Sequence, residues 1–340
     1  MDKQLILAVA GSGKTNHIIN RLNLADNSLI ITYTDTNYRV LRDKIIQKFN
    51  FFPQNITLFT YFSFLYSFCF NPLLSYEICA KGINFKEKPN QYTRKNTLNH
   101  YRDNSNRLYS NRIAKLLKEK NIFPAINQRI SKYFDNLFID EVQDFAGNDF
   151  NLLISLLGAK VAILLVGDFY QHTFNTSNDG NVNKDLYNSY DKYIEKLKET
   201  GIVIDNTTLN KSYRCSPTTC SLITNKLGIE INSHKTEPTN INIINDFEHA
   251  KSILANPIVV KLFYKEHYKY NCYSRNWGDC KGEDKYNDIC IVVNKEIYEM
   301  LSENSVNNLT PTTKNKLYVA LSRANNDVYI LPNEYCKKLK

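Results

Sequence analysis

Residues 8–15 read Ala-Val-Ala-Gly-Ser-Gly-Lys-Thr. An apolar run at 4–9 leads into them, and a helical pattern follows to about residue 24. A strand that stops in a glycine turn and restarts as a helix aims backbone N–H groups, and the positive end of the helix dipole, at one point in space. That geometry suits phosphate oxygens. Lys14 is expected to reach the β- and γ-phosphates of a nucleotide, and the Thr15 hydroxyl to hold Mg²⁺. The expected phosphate cradle is Ala10, Gly11, Ser12, Gly13, Lys14 and Thr15. A phosphate loop of this kind also constrains the fold, because it requires a strand buried on both faces in a parallel sheet covered by helices.

The remaining pattern agrees. Residues 29–32 read as a strand and 35–49 as a helix, which is a βαβ rhythm. Residues 56–70 are the most apolar stretch and are read as a buried loop and helix; they are shorter than the roughly 20 residues a membrane span needs. Residues 78–132 are polar and rich in Lys, Asn and Arg, an insertion rather than sheet. Strands are expected again at 137–140 and 161–167, and a helix at 186–199. The stretch 201–208 reads as a boundary. Beyond it, helices are expected at 216–227 and 312–321, strands at 258–263, 289–293 and 328–331, and a mobile loop at 233–245.

The expected fold is therefore α/β. Two lobes span 1–205 and 206–340, each with a parallel sheet flanked by helices, and the family resemblance set out below implies that they are P-loop lobes of RecA type with ATP in the cleft. The first lobe carries the insertion at about 78–132, and the second a very reduced one at about 228–257.

The strand at 137–140 ends in Asp140 and Glu141. Paired with a phosphate loop, Asp140 is placed to hold the metal, and Glu141 to orient and deprotonate an attacking water. The 43 Lys and Arg exceed the 34 Asp and Glu, for a net charge of +9, which favours a polyanionic partner. The eight cysteines are scattered without a C-x-x-C. His267, Cys272, Cys280 and Cys290 fit no common zinc spacing, so free thiols in a reducing cytoplasm are expected. The start Met1-Asp2-Lys3 runs directly into a strand, so no signal peptide and no membrane partner is expected.

With these residues in hand, the chain resembles superfamily 1 helicases of the UvrD/Rep type. Asp140-Glu141-Val142-Gln143-Asp144 is similar to their motif II. Thr32-Tyr33-Thr34-Asp35 resembles motif Ia, and Thr60-Tyr61-Phe62-Ser63-Phe64 the element after it. Val166 to Gln171 resembles motif III, Leu209 to Ser216 motif IV, Cys280-Lys281-Gly282-Glu283 motif V, and Leu317 to Ala324 motif VI. The resemblance implies ATP and Mg²⁺ as ligands. It implies that Gln171 senses the γ-phosphate, that Arg214 and Arg323 act as arginine fingers, that Tyr213 stacks on adenine and that Glu283 bonds the ribose. It further implies that Tyr33, Phe62 and Phe174 offer flat faces to single-stranded bases.

The departures narrow the expectation. No glutamine element lies upstream of the phosphate loop, since Gln4 sits on the strand itself, and Asn175-Thr176-Ser177-Asn178 replaces the usual aromatic-Arg pair. Little chain is left for an accessory subdomain between motifs IV and V. The expected function is an ATP-dependent DNA helicase or translocase on single-stranded or tailed DNA, with 3′-to-5′ movement implied by the family alone. The compact form resembles the helicase-like subunit of Gabija-type anti-phage systems, which accompanies a nuclease partner of the overcoming-lysogenisation-defect type. The alternative is a regulatory or scaffolding ATPase subunit that unwinds little by itself.

Overall fold

The structure is a computed structural model and describes residues 2–90, 92–173, 179–283, 285–303 and 309–338. The chain divides into two compact units. The described residues of 1–6, 15–167 and 174–205 form the first, and those of 7–14, 168–173 and 206–340 the second. Residues 7–14 and 168–173, assigned to the first lobe by sequence, thus cluster with the C-terminal part of the chain.

The first unit is built on a six-stranded sheet in the order Ile56–Thr60, Ser28–Thr32, Asn136–Asp140, Ala162–Gly167, Lys3–Leu7, Val203–Asp205. Ser28–Thr32 runs parallel to both of its neighbours, as does Asn136–Asp140, and Lys3–Leu7 runs parallel to Val203–Asp205. Every residue of Ser28–Thr32 is buried, as a strand covered on both faces requires. The helix Asp35–Phe49 starts at Thr34, whose hydroxyl accepts the Asn37 N–H at 3.1 Å, and stops at Asn50 in the left-handed region (φ 65°).

Three expectations change here. The stretch 56–70 opens with a strand at the sheet edge, then continues as the helical turn Tyr61–Ser63 and the π-helix Phe64–Phe70. Its short alternation is hidden inside a continuous apolar run. The expected boundary at 201–208 contains the strand Val203–Asp205, which closes the other edge of this sheet. The segment 78–132 holds helices Ile113–Glu119 and Phe123–Tyr133, but also the short parallel pair Ile83–Asn84 with Leu108–Tyr109. Buried Arg112 and neighbouring Lys115 both donate to the carboxylate of Asp179, at 2.8 and 2.6 Å, which ties this segment down.

The second unit is built on a five-stranded parallel sheet in the order Ile241–Ile243, Val328–Pro332, Ile289–Val293, Val260–Phe263, Ser274–Asn276. Helix Pro217–Leu227 starts at Ser216, whose hydroxyl accepts the Thr219 N–H, with Pro217 at its first turn, and ends at left-handed Gly228. Helix Pro311–Leu321 starts the same way at Thr310. The expected mobile loop at 233–245 supplies the edge strand Ile241–Ile243, and the expected insertion at 228–257 supplies that strand together with helix Phe247–Ala255. Their Asn-rich composition concealed an edge strand that pairs along one side.

All eight cysteines are free thiols. Among the described residues no three His, Cys, Asp or Glu side chains cluster as metal ligands, and no helix is long and apolar enough to cross a membrane.

Gly167 ends its strand with no space for a side chain. A Cβ there would lie 2.5 Å from both Val142 Cγ1 and Gln143 Oε1, and 3.1 Å from the Val142 nitrogen. Gly167→Ala is expected to lower unfolding free energy by about 1–3 kcal/mol, the usual cost of overpacking. Urea denaturation measures it, and an unchanged midpoint would mean that the segment after Glu141 yields freely.

Candidate active site

In the second unit the phosphate loop is a turn fixed at several points. Ser12 N–H donates to the Val9 carbonyl at 3.3 Å, Val9 N–H donates to the Leu209 carbonyl at 3.0 Å, and Tyr213 N–H donates to the Gly11 carbonyl at 2.9 Å. Gly11 and Gly13 have φ of 72° and 87°, a region open to glycine without steric cost. At Gly11 a Cβ would also fall 2.7 Å from Ser212 Oγ and 2.9 Å from Arg214 Cβ. The turn delivers the chain into helix Lys14–Arg21, whose first N–H groups have no partner within the helix.

Two polar groups of the turn are suited to an anion. The Ser12 hydroxyl is buried without a hydrogen-bond partner, and among the described residues the half-buried Lys14 ammonium has neither a hydrogen bond nor an ion pair. A buried polar group left unpaired costs about 1–3 kcal/mol. Positive-φ glycines, a helix N-terminus, an orphaned hydroxyl and an unpaired ammonium together form a donor set that fits nucleotide phosphates. Ala10 is buried, and its N–H is taken up by the Tyr318 hydroxyl at 2.9 Å.

The same unit gathers the other residues singled out from motifs III to VI. Asp168, almost fully buried, accepts from the Tyr170 N–H through Oδ1 at 3.2 Å. Its Oδ2 accepts from Gln171 Nε2 at 2.9 Å and from the Tyr318 hydroxyl at 2.8 Å. Arg214 Nη1 donates to the Ser322 carbonyl at 2.9 Å. Arg323, 2% exposed, donates to the carbonyls of Val319 and Glu283 at 3.2 and 3.3 Å. The two arginines therefore meet at the C-terminal end of helix Pro311–Leu321, where carbonyls attract cations. Tyr213 is 63% exposed, with its ring stacked on His234 at 3.8 Å and 12°. The Glu283 carboxylate accepts from the Tyr286 hydroxyl and from Arg275 Nε.

Thr15, Asp140 and Glu141 belong to the first unit. Strand Asn136–Asp140 ends in buried Asp140, whose Oδ1 accepts the Glu141 N–H at 3.0 Å. Glu141 sits at φ 55°, uncommon for a residue with a side chain and concentrated at functional positions. Gln143, fully buried, donates from Nε2 to Glu141 Oε2. Sequence reasoning assigned Gln143 and Tyr318 no role. Both stand inside the motifs it quoted, so the signal was present, but only the geometry shows what they touch.

Tyr33 and Phe62 also belong to the first unit. They line a groove of about 630 Å³ with Thr34, Thr60, Tyr66 and Phe85. Tyr33 stacks on Tyr61 at 5.8 Å, and Phe62 meets Phe85 edge to face at 5.0 Å. Phe85, from the insertion, is 61% exposed and was not anticipated. Phe174 and residues 175–178 lie outside the described residues.

The crowding at Gly11 yields a direct expectation. Gly11→Ala combines a disfavoured φ, costing about 1–2 kcal/mol, with a clash against Ser212 and Arg214. Affinity for a nonhydrolysable ATP analogue, measured by calorimetry, is expected to fall at least about tenfold, the equivalent of about 1.4 kcal/mol. Unchanged affinity would mean that this turn does not hold nucleotide.

A family model described as the viral superfamily 1 RNA helicase core domain matches residues 93–332. Among solved structures, arterivirus nonstructural protein 10, a helicase, in complex with DNA aligns with TM-score 0.51 and 13% identity. The alignment covers 96% of this chain and 60% of that one. A crystal structure of arterivirus nonstructural protein 10 (helicase) aligns at TM-score 0.49 and 13% identity over 98% of this chain and 62% of that one. PRRSV helicase aligns at 0.47 and 11% over 97% and 52%. This chain thus spans about three-fifths of the length of the first of these structures. No curated protein matches it. The first alignment agrees with two parallel α/β units of RecA-like fold, and the family match over 93–332 shows that the chain belongs to the viral superfamily 1 RNA helicase core family.

Proposed function

We propose that the chain is a motor ATPase that hydrolyses Mg-ATP and couples the hydrolysis to a nucleic-acid strand. The observation that carries this is the half-buried Lys14 ammonium, unpaired among the described residues, on a positive-φ glycine turn that opens a helix. Lys14 neutralises the β- and γ-phosphates, and backbone N–H groups of Gly11 to Thr15 cradle them. Thr15 and Asp140 would hold Mg²⁺, which would supply positive charge to offset that on the transferring phosphoryl group. Glu141, oriented by Gln143, takes the proton of the attacking water. Arg214 and Arg323 swing from their carbonyl partners toward the developing charge. Tyr213 and Glu283 are proposed to hold adenine and ribose after exchanging their present partners.

The strand is proposed to lie on the aromatic groove of Tyr33 and Phe62, joined by Phe85. Aromatic faces stack any base, so binding is sequence-tolerant, and the +9 charge makes it salt-dependent. The finer reading, a UvrD-type motor on single-stranded or tailed DNA within a nuclease-associated anti-phage complex, is supported by the motif resemblance alone. The description of the matched family favours RNA as a second reading. The subunit with little unwinding of its own gains support from 228–257. Those residues build sheet and helix in the second unit and leave little chain for an accessory subdomain.

Lys14→Ala is expected to abolish turnover. Glu141→Gln is expected to retain nucleotide binding while slowing hydrolysis by roughly two to four orders of magnitude, the worth of a positioned general base. Phosphate-release kinetics with a nucleotide-binding assay separate the two, and loss of binding in Glu141→Gln would make Glu141 structural.

The functional classes separate in a strand-separation assay on 3′-tailed DNA and RNA duplexes, run beside a pull-down from the native host. Poor unwinding by the isolated chain together with a recovered nuclease is the expected result. Processive unwinding by the lone monomer contradicts the subunit reading.

A further inference from the structure

Tyr318 lies on helix Pro311–Leu321 with no exposed surface, and its hydroxyl makes two hydrogen bonds to distant parts of the chain. It accepts the Ala10 N–H at 2.9 Å and donates to Asp168 Oδ2 at 2.8 Å. The same Oδ2 accepts from Gln171 Nε2 at 2.9 Å. Chemistry sets these directions: a backbone amide can only donate and an ionised carboxylate can only accept. The hydroxyl proton therefore goes to Asp168, and Gln171 must turn its NH₂ group toward Asp168, leaving its carbonyl oxygen directed elsewhere. Burial, then the charge of Asp168, pushes the Tyr318 phenol well above its ordinary pKa, so the proton stays in place.

The chain of bonds thus runs from a phosphate-loop amide through a phenol and a carboxylate to the motif III glutamine. Ala10, Asp168, Gln171 and Tyr318 are each at most 3% exposed, so water does not compete for these bonds. The ring is held as well: Tyr170 meets it edge to face at 6.1 Å.

We propose that Tyr318 is a positioning residue for nucleotide hydrolysis, whose hydroxyl ties the phosphate-loop turn at Ala10 to Asp168 and so fixes which face of the Gln171 amide is presented to the reacting water. With its Nε2 committed to Asp168, Gln171 offers a carbonyl oxygen, an acceptor suited to orienting a water O–H. The inference rests on the ATPase reading above and adds to it a residue whose effect passes through Gln171 rather than through contact with nucleotide.

The test is a double-mutant cycle on the full chain, reading kcat, KM for ATP, analogue affinity and thermal midpoint. Tyr318→Phe keeps the ring and deletes both bonds. It is expected to lower kcat by at least about tenfold, the worth of one charge-assisted hydrogen bond, with KM and analogue affinity within about twofold, inside the margin of coupling between neighbouring sites. Tyr318→Phe combined with Gln171→Ala is expected to be no slower than Gln171→Ala alone. Asp168→Asn, which replaces one acceptor oxygen by a donor, is expected to show the same kcat-selective loss and serves if Tyr318→Phe does not fold. Wild-type kcat in Tyr318→Phe overturns the proposal. So do losses that multiply in the double variant, or a fall in affinity and thermal midpoint that tracks the rate. Turnover that survives Lys14→Ala would instead remove the ATPase reading itself, whatever Tyr318 does.

Discussion

The turn at Gly11 admits no side chain. Its φ of 72° disfavours any L residue, and Ser212 and Arg214 occupy the space that a Cβ would need. Three consequences follow from that crowding. The backbone N–H groups of the turn and of the helix after it are held in a converging set. The segment from Ser212 to Arg214 is pinned to the turn through the Tyr213 N–H bond to Gly11. The Lys14 side chain leaves the turn with no hydrogen bond or ion pair among the described residues. A site preorganised in this way spends little on reordering when it meets an anion, which is the main source of rate enhancement in phosphoryl transfer.

Within each unit, a carboxylate is placed by a buried amide. Gln143 bonds Glu141, and Gln171 bonds Asp168. In each case a neutral amide N–H bonds one oxygen of the acid and so helps to fix its orientation. The strain at Glu141, with its left-handed backbone, is held by the strand before it and by the packing of Gly167 against Val142 and Gln143. Strain of this kind persists only where the surroundings over-determine it.

Much of this was legible in the sequence because the phosphate loop and the acid pair each follow a short buried apolar run, Leu5 to Leu7 and Leu137 to Ile139, where pattern and punctuation agree. Helices opening at Ser216-Pro217 and Thr310-Pro311 were equally plain, since cap and proline act locally. The failures share a cause. Ile56–Thr60 lost its alternation inside a longer apolar run, and Ile241–Ile243 is an edge strand in polar surroundings, so pairing rather than local pattern decides both. The Ala10–Tyr318–Asp168 bonds join residues 150 and 308 positions apart, which no local pattern reports. Phe85 reaches the groove of Tyr33 and Phe62 from a segment that composition marked only as polar.

The central claim is that this site hydrolyses nucleotide and that a nucleic-acid strand governs the rate. Steady-state phosphate release by the purified chain tests it most directly, with and without Mg²⁺, and with saturating single-stranded DNA, RNA or neither. The account predicts Mg²⁺-dependent turnover that rises severalfold with at least one polymer and loses that stimulation as salt is raised. Absence of Mg²⁺-dependent release, or a rate indifferent to both polymers at low salt, would contradict it.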